Sequence, residues 1–138
     1  MSILDTLITD RTAADVEALN AKGTYNAEDL NRVGEAMGYI ASRFQAMGYD
    51  INIQSRTDWG ISDIPLQADM VQYIADLKDL RNAVAVFPDT PYVPNTMAYL
   101  NYYQANDIEQ MLLVLNETID KIIGSWYYCA ELYSGEIT

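Results

Sequence analysis

The chain has 138 residues, half of them hydrophobic and a fifth charged, which is the balance of one globular domain. It contains no histidine and one cysteine, so histidine-dependent catalysis, histidine metal sites and an internal disulfide are excluded. Eight basic and twenty acidic residues give a net charge of −12, and the basic residues are scattered, which disfavours binding to nucleic acid or to an anionic membrane surface. We expect one domain over residues 1–138, with residues 1–8 as a candidate flexible N-terminal arm.

Capping patterns mark the first two helices. Thr12 and Asp15 have the spacing of a capping box before a short helix, which Gly23 would end. Asn26 is a suitable cap for a longer second helix, which Gly48 would end. Apolar residues recur along this second helix at spacings of three and four: Leu30, Val33, Met37, Ile40, Phe44 and Met47.

The periodicity changes after the second helix. Tyr49, Ile51 and Ile53 alternate with polar residues, as the residues of a half-buried strand do. The sequence therefore predicts a short strand or an extended excursion near 49–56. A polar loop follows, and Trp59 is its expected anchor.

Two more apolar stripes predict long helices at about 66–87 and 101–132. Between them, three of the four prolines fall in a stiff, extended strap at 88–95. The fold class is therefore all-α: a helical bundle of three long helices and one short one. The residues predicted to be mostly buried in its core are Leu30, Met37, Ile40, Phe44, Leu77, Val84, Leu112, Leu115, Ile119 and Ile122.

Gly34 and Gly38 lie one turn apart beside the apolar stripe of the second helix. A glycine inside a helix costs up to ~1 kcal/mol relative to alanine, so we expect another part of the structure to approach this face closely. Packing inside the bundle and a contact between subunits both satisfy that expectation. Both glycines are therefore candidate interface residues.

Tyrosine is the compositional exception, with eleven residues in the chain. One helix face cannot bury both Tyr127 and Tyr128, because successive residues point about 100° apart. The tyrosines near the last helix either surround the bundle with their hydroxyls outward or form an assembly or ligand-binding surface. Those assigned to a candidate interface are Tyr99, Tyr102, Tyr103, Tyr127, Tyr128 and Tyr133.

No pattern in the chain predicts a catalytic, cofactor or metal site. Asp50, Asn52 and Gln54 begin like a calcium loop, but Ser55 stands where that loop requires glycine. The lone thiol of Cys129 falls on the apolar stripe of the last helix and is expected to be a small buried residue. We therefore expect no enzyme activity, no cofactor and no bound transition metal.

Several segments together resemble a group of small proteins and appended domains encoded among the structural genes of prophages in Firmicutes, often beside tail genes. The resembling segments are Leu7–Val16, Tyr25–Gly34, Thr57–Trp59 with Asp63–Pro65, Pro91–Met97 with Ala105–Glu109, and Glu131–Glu136. They are spread over most of the chain. The chain lacks a helical stretch that many members carry between the positions of Gly23 and Tyr25, so the resemblance implies nothing about that stretch.

The resemblance implies a place among phage structural proteins rather than a chemistry. We expect a non-enzymatic virion component associated with a tail, tail tip or fibre, which packs against other virion proteins and against copies of itself. The alternative is an acidic phage-encoded inhibitor or DNA mimic that occupies a basic site on a host protein.

The expected location is the virion, after synthesis in the bacterial host cytoplasm. Residues 1–10 lack the positive region and the long apolar core of a signal peptide. No apolar run approaches the ~20 residues of a membrane span. We expect neither nucleic acid nor a membrane among the partners.

Overall fold

A computed structural model describes residues 3–19, 23, 25–60, 62–63, 66–83, 90–98 and 100–137, and for residues 126–137 it describes the backbone alone. Every regular element in these ranges is helical, so the all-α class is confirmed. The elements are a 3₁₀ helix at Ile3–Thr6 and the α-helices α1 (Ala13–Ala18), α2 (Ala27–Ala46), α3 (Gln67–Asn82) and α4 (Tyr102–Ile137). Within the described residues, no helix is both long enough and apolar enough to span a membrane.

Side-chain caps fix where the helices begin. Asn26 accepts from the backbone amides of Glu28 and Asp29, and the Asp29 carboxylate accepts from the Asn26 amide at 2.8 Å. Thr12 forms the same reciprocal box with Asp15 at the start of α1. After α2, Gly48 adopts φ +95°, a conformation that favours glycine, so the chain turns where the sequence predicts.

The predicted core is largely confirmed. Ile122 is half-buried, and Val84 lies outside the described residues. The predicted core residues that are buried are Leu30, Met37, Ile40, Phe44, Leu77, Leu112, Leu115 and Ile119. They form one continuous cluster with other apolar side chains, which include Met111 and Trp59.

Helices α2 and α4 run in the same direction. Near the start of both, Arg32 Nε donates to Glu109 Oε1 at 2.8 Å. Nearer the end of α2, Arg43 pairs with Asp120, further along α4, at 2.8 Å. Residue numbers therefore rise together along the two helices.

The chain returns between α2 and α3 as an extended segment, 49–60, which runs back along α2. Gln45, in the last turn of α2, donates to the Ile51 carbonyl at 2.6 Å. Asn31, in the first half of α2, exchanges hydrogen bonds with the backbone of Trp59 at 2.7 and 2.8 Å. The segment thus brings the chain back to the end of the bundle where α2 began.

Helix α3 starts beside the start of α2, since Gln67 and Met70 line one pocket with Tyr25 and Leu30. It shares the direction of α2, since Asp76, later in α3, accepts from the Gln54 amide in the middle of the returning segment. A second extended segment, residues 90–98, then returns along α3 to the start of α4. Three long helices are therefore parallel and are joined by extended crossovers, unlike bundles whose helices alternate in direction through short loops.

The predicted strand near 49–56 does not form: among the described residues there is no strand. Ile51 is buried and Ile53 packs against the core, so the alternation correctly indicated an inward face. However, helix side chains take the backbone groups that a neighbouring strand would use. Gln45 donates to the Ile51 carbonyl, and Asp76 accepts from the Gln54 amide at 3.1 Å.

Other boundaries also differ from the sequence expectation. Residues 3–8 lie against the bundle, where Leu4 is buried in the core and the Ile8 amide donates to Glu109 at 3.0 Å. Helix α3 ends at Asn82, before residues 84–89, which lie outside the described residues. Helix α4 continues past residue 132 to Ile137.

Candidate functional site

The interface tyrosines predicted from sequence are described only in part. Tyr102 is half-buried and Tyr103 is 56% exposed, and their rings meet edge to face with centroids 4.7 Å apart. This aromatic pair lies at the start of α4. The other predicted tyrosines, whose side chains lie outside the described residues, are Tyr99, Tyr127, Tyr128 and Tyr133.

The structure separates the two candidate interface glycines. Gly34 is buried, and a Cβ there would lie 3.1 Å from Thr57 Cγ2 and 3.2 Å from the Arg56 carbonyl oxygen. The close approach at Gly34 is therefore made by the crossover 49–60 within the same chain. Gly38 is exposed and a Cβ there would meet nothing within 4 Å, so its face of α2 stays open.

A buried ion cluster joins the N-terminal segment to α2 and α4. It consists of Arg11, Asp29, Arg32 and Glu109, whose side chains are at most 15% exposed. Arg11 contacts Glu109 at 2.6 Å and Asp29 at 3.4 Å, while Arg32 contacts Asp29 at 2.6 Å and Glu109 at 2.8 Å. The two positive and two negative charges balance, and buried charges require such full pairing.

Neighbouring polar groups complete the ion cluster. Asn106 accepts from the Arg11 amide and donates to the Arg11 carbonyl, both at 3.0 Å. Burial lowers the pKa of Arg32, but its hydrogen bonds to Glu109 and Asp29 outweigh burial and raise that pKa above its usual value. The cluster is therefore a charged structural anchor between the N-terminal segment, α2 and α4.

Sequence reasoning missed this cluster, although one signal was present. Glu109 stands four residues after Ala105 and three before Leu112, which places a carboxylate on the buried face of α4. An acidic residue in that register requires a basic partner.

A groove lies between the outer face of α3 and the second crossover, and we call it the α3–strap groove. It has two adjoining compartments of about 670 and 260 Å³. Both compartments are lined by Gln67, Met70, Thr96 and Met97. The larger one reaches Tyr25, and the smaller one reaches Lys78.

The walls of this groove are mostly apolar. Val71, which is 61% exposed, and Ile74 line the smaller compartment. The described lining residues of both compartments include one cation, Lys78, and no aspartate or glutamate. Methionine is flexible and polarizable, so walls containing Met70 and Met97 can adapt to the shape of an occupant.

Two tyrosine hydroxyls bond to each other beside the groove. Tyr25 lines its larger compartment, and the hydroxyl of Tyr25 is hydrogen-bonded to that of buried Tyr73. Burial raises the pKa of both tyrosines above the ordinary value, because the charged form cannot be solvated there. Both hydroxyls therefore stay neutral near neutral pH.

The groove was also missed from sequence, although α3 carries apolar residues on a second face. Its buried stripe includes Tyr73 and Leu77, as predicted. Val71 and Ala75 fall outside that stripe, and they line the groove. An apolar residue outside the core stripe of a surface helix was the available signal.

Each of the five arginines forms an ion pair or a hydrogen bond with another residue of the same chain. Beyond the two in the ion cluster, Arg43 pairs with Asp120 and Arg56 pairs with Asp58 and Asp63. Arg81 donates to carbonyls of the second crossover at 3.0 and 3.1 Å. The surface is left with exposed acids: Asp5, Asp10, Glu17, Glu28, Glu35, Asp50, Asp58, Asp63, Asp69, Asp79, Glu117 and Asp120.

The groove and the aromatic pair of Tyr102 and Tyr103 are candidate binding surfaces, and the ion cluster is an internal anchor. Within the described residues, no three acidic or cysteine side chains gather in a way that could hold a metal ion. Comparisons with protein-family models, with curated protein sequences and with solved structures give no match for this chain.

Proposed function

We propose that the chain is a non-enzymatic structural protein of a phage particle, associated with a tail, tail tip or fibre, and that it acts by packing against other proteins. The phage context is supported by the sequence segments that resemble proteins encoded among prophage structural genes. The packing role is supported by a bundle that uses its arginines for internal cross-links and leaves apolar surface open.

One observation carries the packing role: Tyr103 is 56% exposed and packs edge to face against Tyr102 at the start of α4. Tyrosines held rigidly at a surface are typical anchors of protein interfaces, since they bury a large area and lose little conformational entropy. Together these two rings form a platform for a partner.

Mass spectrometry of purified particles tests the proposal directly. The chain should be present at a fixed ratio to the other virion proteins, and Tyr103→Ala should lower its incorporation by about tenfold, as loss of an interface anchor does. Tyr92→Ala is the matched control, because Tyr92 is 73% exposed but lies in the second crossover. Particles that lack the chain, or that take up both variants equally, would contradict the proposal.

The proposal includes self-association. Subunits of charge −12 repel one another, so association should strengthen as salt rises to moderate ionic strength. Light scattering over a range of salt and protein concentrations measures this. A strictly monomeric mass at high micromolar protein in ~0.5 M salt, where charges are screened, would remove the homo-oligomer from the proposal.

A second candidate function is an acidic inhibitor that occupies a basic site on a host protein. The specific observation in its favour is the outward charge: the arginines are engaged internally, while many carboxylates are exposed. An inhibitor would be absent from purified particles and would compete with DNA for its target. Raising the salt concentration would weaken that competition.

A further inference from the structure

Helix α4 extends well past the other helices. It has 36 residues against 20 in α2, or about 54 Å against about 30 Å. Ile123 is the last described side chain of α4 that packs against the core, and a Cβ at Gly124 would meet nothing within 4 Å. The helical backbone then continues to Ile137, about 21 Å further.

This extension has an unusual composition for an isolated surface helix. We call residues 126–137 the tip segment; its side chains lie outside the described residues, so its chemistry is taken from the sequence. Its charged residues are Glu131 and Glu136, both acidic. Its larger apolar and aromatic residues are Trp126, Tyr127, Tyr128, Leu132, Tyr133 and Ile137. A helix this rich in apolar surface is expected to be covered by another surface.

The α3–strap groove has the complementary chemistry. Its described walls are mostly apolar, and Lys78, the cation among them, donates to Asn95 Oδ1 at a long 3.4 Å. Among the described lining residues there is no carboxylate, although the chain has twenty acidic residues. The groove therefore accepts an apolar segment that carries glutamates, which the acidic surface elsewhere repels.

The direction of the helices prevents the tip segment from reaching the groove of its own chain. The larger compartment of the groove lies beside Tyr25, Leu30 and Leu100, where the long helices begin, and the smaller compartment extends along α3 to Lys78. The tip segment continues α4 beyond the level at which α2 ends, since Arg43, near the end of α2, pairs with Asp120. A contact between the two surfaces must therefore join two copies of the chain.

We propose that the tip segment of one copy docks in the α3–strap groove of the next copy, with Lys78 facing the tip glutamates. The contact rests on the self-association included in the proposed function and gives it a mechanism. A helix that inserts two or three apolar side chains into a groove is an established mode of protein recognition. Because the donor and acceptor surfaces differ, the contact either repeats head to tail to form a ring or a filament, or is exchanged reciprocally in a closed dimer.

Charge reversal tests the polar part of the contact. Lys78→Glu should weaken self-association at least tenfold in analytical ultracentrifugation, and less so in high salt. Lys121→Glu is the control, since it makes the same charge change on α4 outside the groove and should leave association unchanged. Adding Glu131→Lys and Glu136→Lys to Lys78→Glu should restore association.

Complementation tests the geometry. Trp126→Asp damages the tip segment, and Val71→Asp damages the groove at an exposed position where the fold tolerates a carboxylate. Each variant alone should stay monomeric. A mixture should form 1:1 dimers and nothing larger, because one intact tip and one intact groove remain. Circular dichroism of each variant confirms that the bundle is folded.

Three results would overturn the contact: a monomeric native chain, association unaffected by Val71→Asp and Trp126→Asp, or a mixture that grows beyond dimers. The first would also remove self-association from the proposed function. The second and third would leave self-association standing on another surface. Presence in purified particles is measured independently, so failure of the contact and failure of the virion role are distinguishable.

Discussion

The two extended crossovers do the same task, returning the chain from the end of one helix to the start of the next, but they pack differently. The first, residues 49–60, is sealed against the bundle, with Ile51 and Trp59 buried. The second, residues 90–98, leaves the α3–strap groove open beside it. The difference shows where this fold is structural and where it is available for binding.

The chemistry of the anchors explains the difference. Buried Asp76 holds the first crossover by accepting from the Gln54 amide and the Ser55 hydroxyl. Arg81 holds one end of the second crossover by donating to two carbonyls, while toward the other end Lys78 donates to Asn95 at 3.4 Å and Met97 packs against the core. A buried carboxylate that accepts from several donors holds a crossover against the bundle more firmly than a half-exposed guanidinium does.

The largest expected effect is on the sealed crossover. Asp76→Ala leaves the Gln54 amide and the Ser55 hydroxyl without their acceptor, so we expect a loss of about 3 kcal/mol in the free energy of unfolding. Urea titration measures it. Asp79→Ala, an exposed carboxylate on the same helix, is the control and should change stability by less than ~0.5 kcal/mol. Equal effects of the two variants would show that the first crossover is not held by Asp76.

The tyrosine pair beside the groove predicts a loss of stability in alkali. The raised pKa of Tyr25 and of Tyr73 means that the folded chain keeps two protons that the unfolded chain releases above the ordinary tyrosine pKa of 10.0. Their contribution is complete well below pH 10 and declines as pH rises, by about 3 kcal/mol at pH 11 for the pair. Unfolding followed from pH 8 to pH 11 measures the slope.

The double variant Tyr25→Phe with Tyr73→Phe is the reference for that measurement. It removes both titrating hydroxyls and keeps the rings, so its stability should fall less steeply above pH 10. Identical slopes for the native chain and the double variant would show that the alkaline loss comes from other groups.

Loss of the Arg81 contacts should loosen only the second crossover, residues 90–98. Arg81→Met removes the two hydrogen bonds to the Thr90 and Pro91 carbonyls and the stacking on Tyr92, at a cost of about 1 kcal/mol. Amide exchange should rise within residues 90–98 and stay unchanged within 49–60. Uniform loss of protection over both crossovers would mean that they are not independent.

The smallest expected change in stability comes from replacing each of the two glycines of α2 by alanine. Gly38→Ala should stabilise the chain by about 0.5–1 kcal/mol, because alanine favours the helix and the added Cβ meets nothing. Gly34→Ala brings a Cβ to 3.2 Å from the Arg56 carbonyl oxygen, and the sealed crossover has to move. We expect it to be the less stable variant by at least ~1 kcal/mol in thermal unfolding. A Gly34→Ala variant more stable than Gly38→Ala would show that the first crossover does not pack tightly against α2.

Apolar periodicity was enough to predict α2 and most of the core. The stripe from Leu30 to Phe44 faces inward, and Asn26 and Gly48 bound the helix as expected. Periodicity reports which face of a helix is buried but not the direction of its neighbour. The parallel arrangement depends on pairings such as Arg43 with Asp120, which no local pattern specifies.

The binding surfaces were predicted less well for a related reason. Gly34 did mark a close approach, but a crossover of the same chain makes it, which sequence spacing cannot distinguish from a subunit contact. The groove depends on where Met97 and Met70 meet across two segments distant in sequence. Of the predicted interface residues whose side chains or positions the structure describes, Tyr103 and Gly38 are exposed.

The parallel order of the helices has a consequence for folding. The Arg32–Glu109 contact joins residues 77 apart, and the contact from the Arg11 amide to Asn106 joins residues 95 apart. Contacts this distant in sequence slow the search for the native state, so folding should be slower than for bundles built from helical hairpins. At ~5–20 residues per second, the ribosome needs roughly 5–20 s after Arg11 to synthesise its partners on α4, Asn106 and Glu109. For that interval on the ribosome, Arg11 lacks the carboxylate and amide that α4 later supplies.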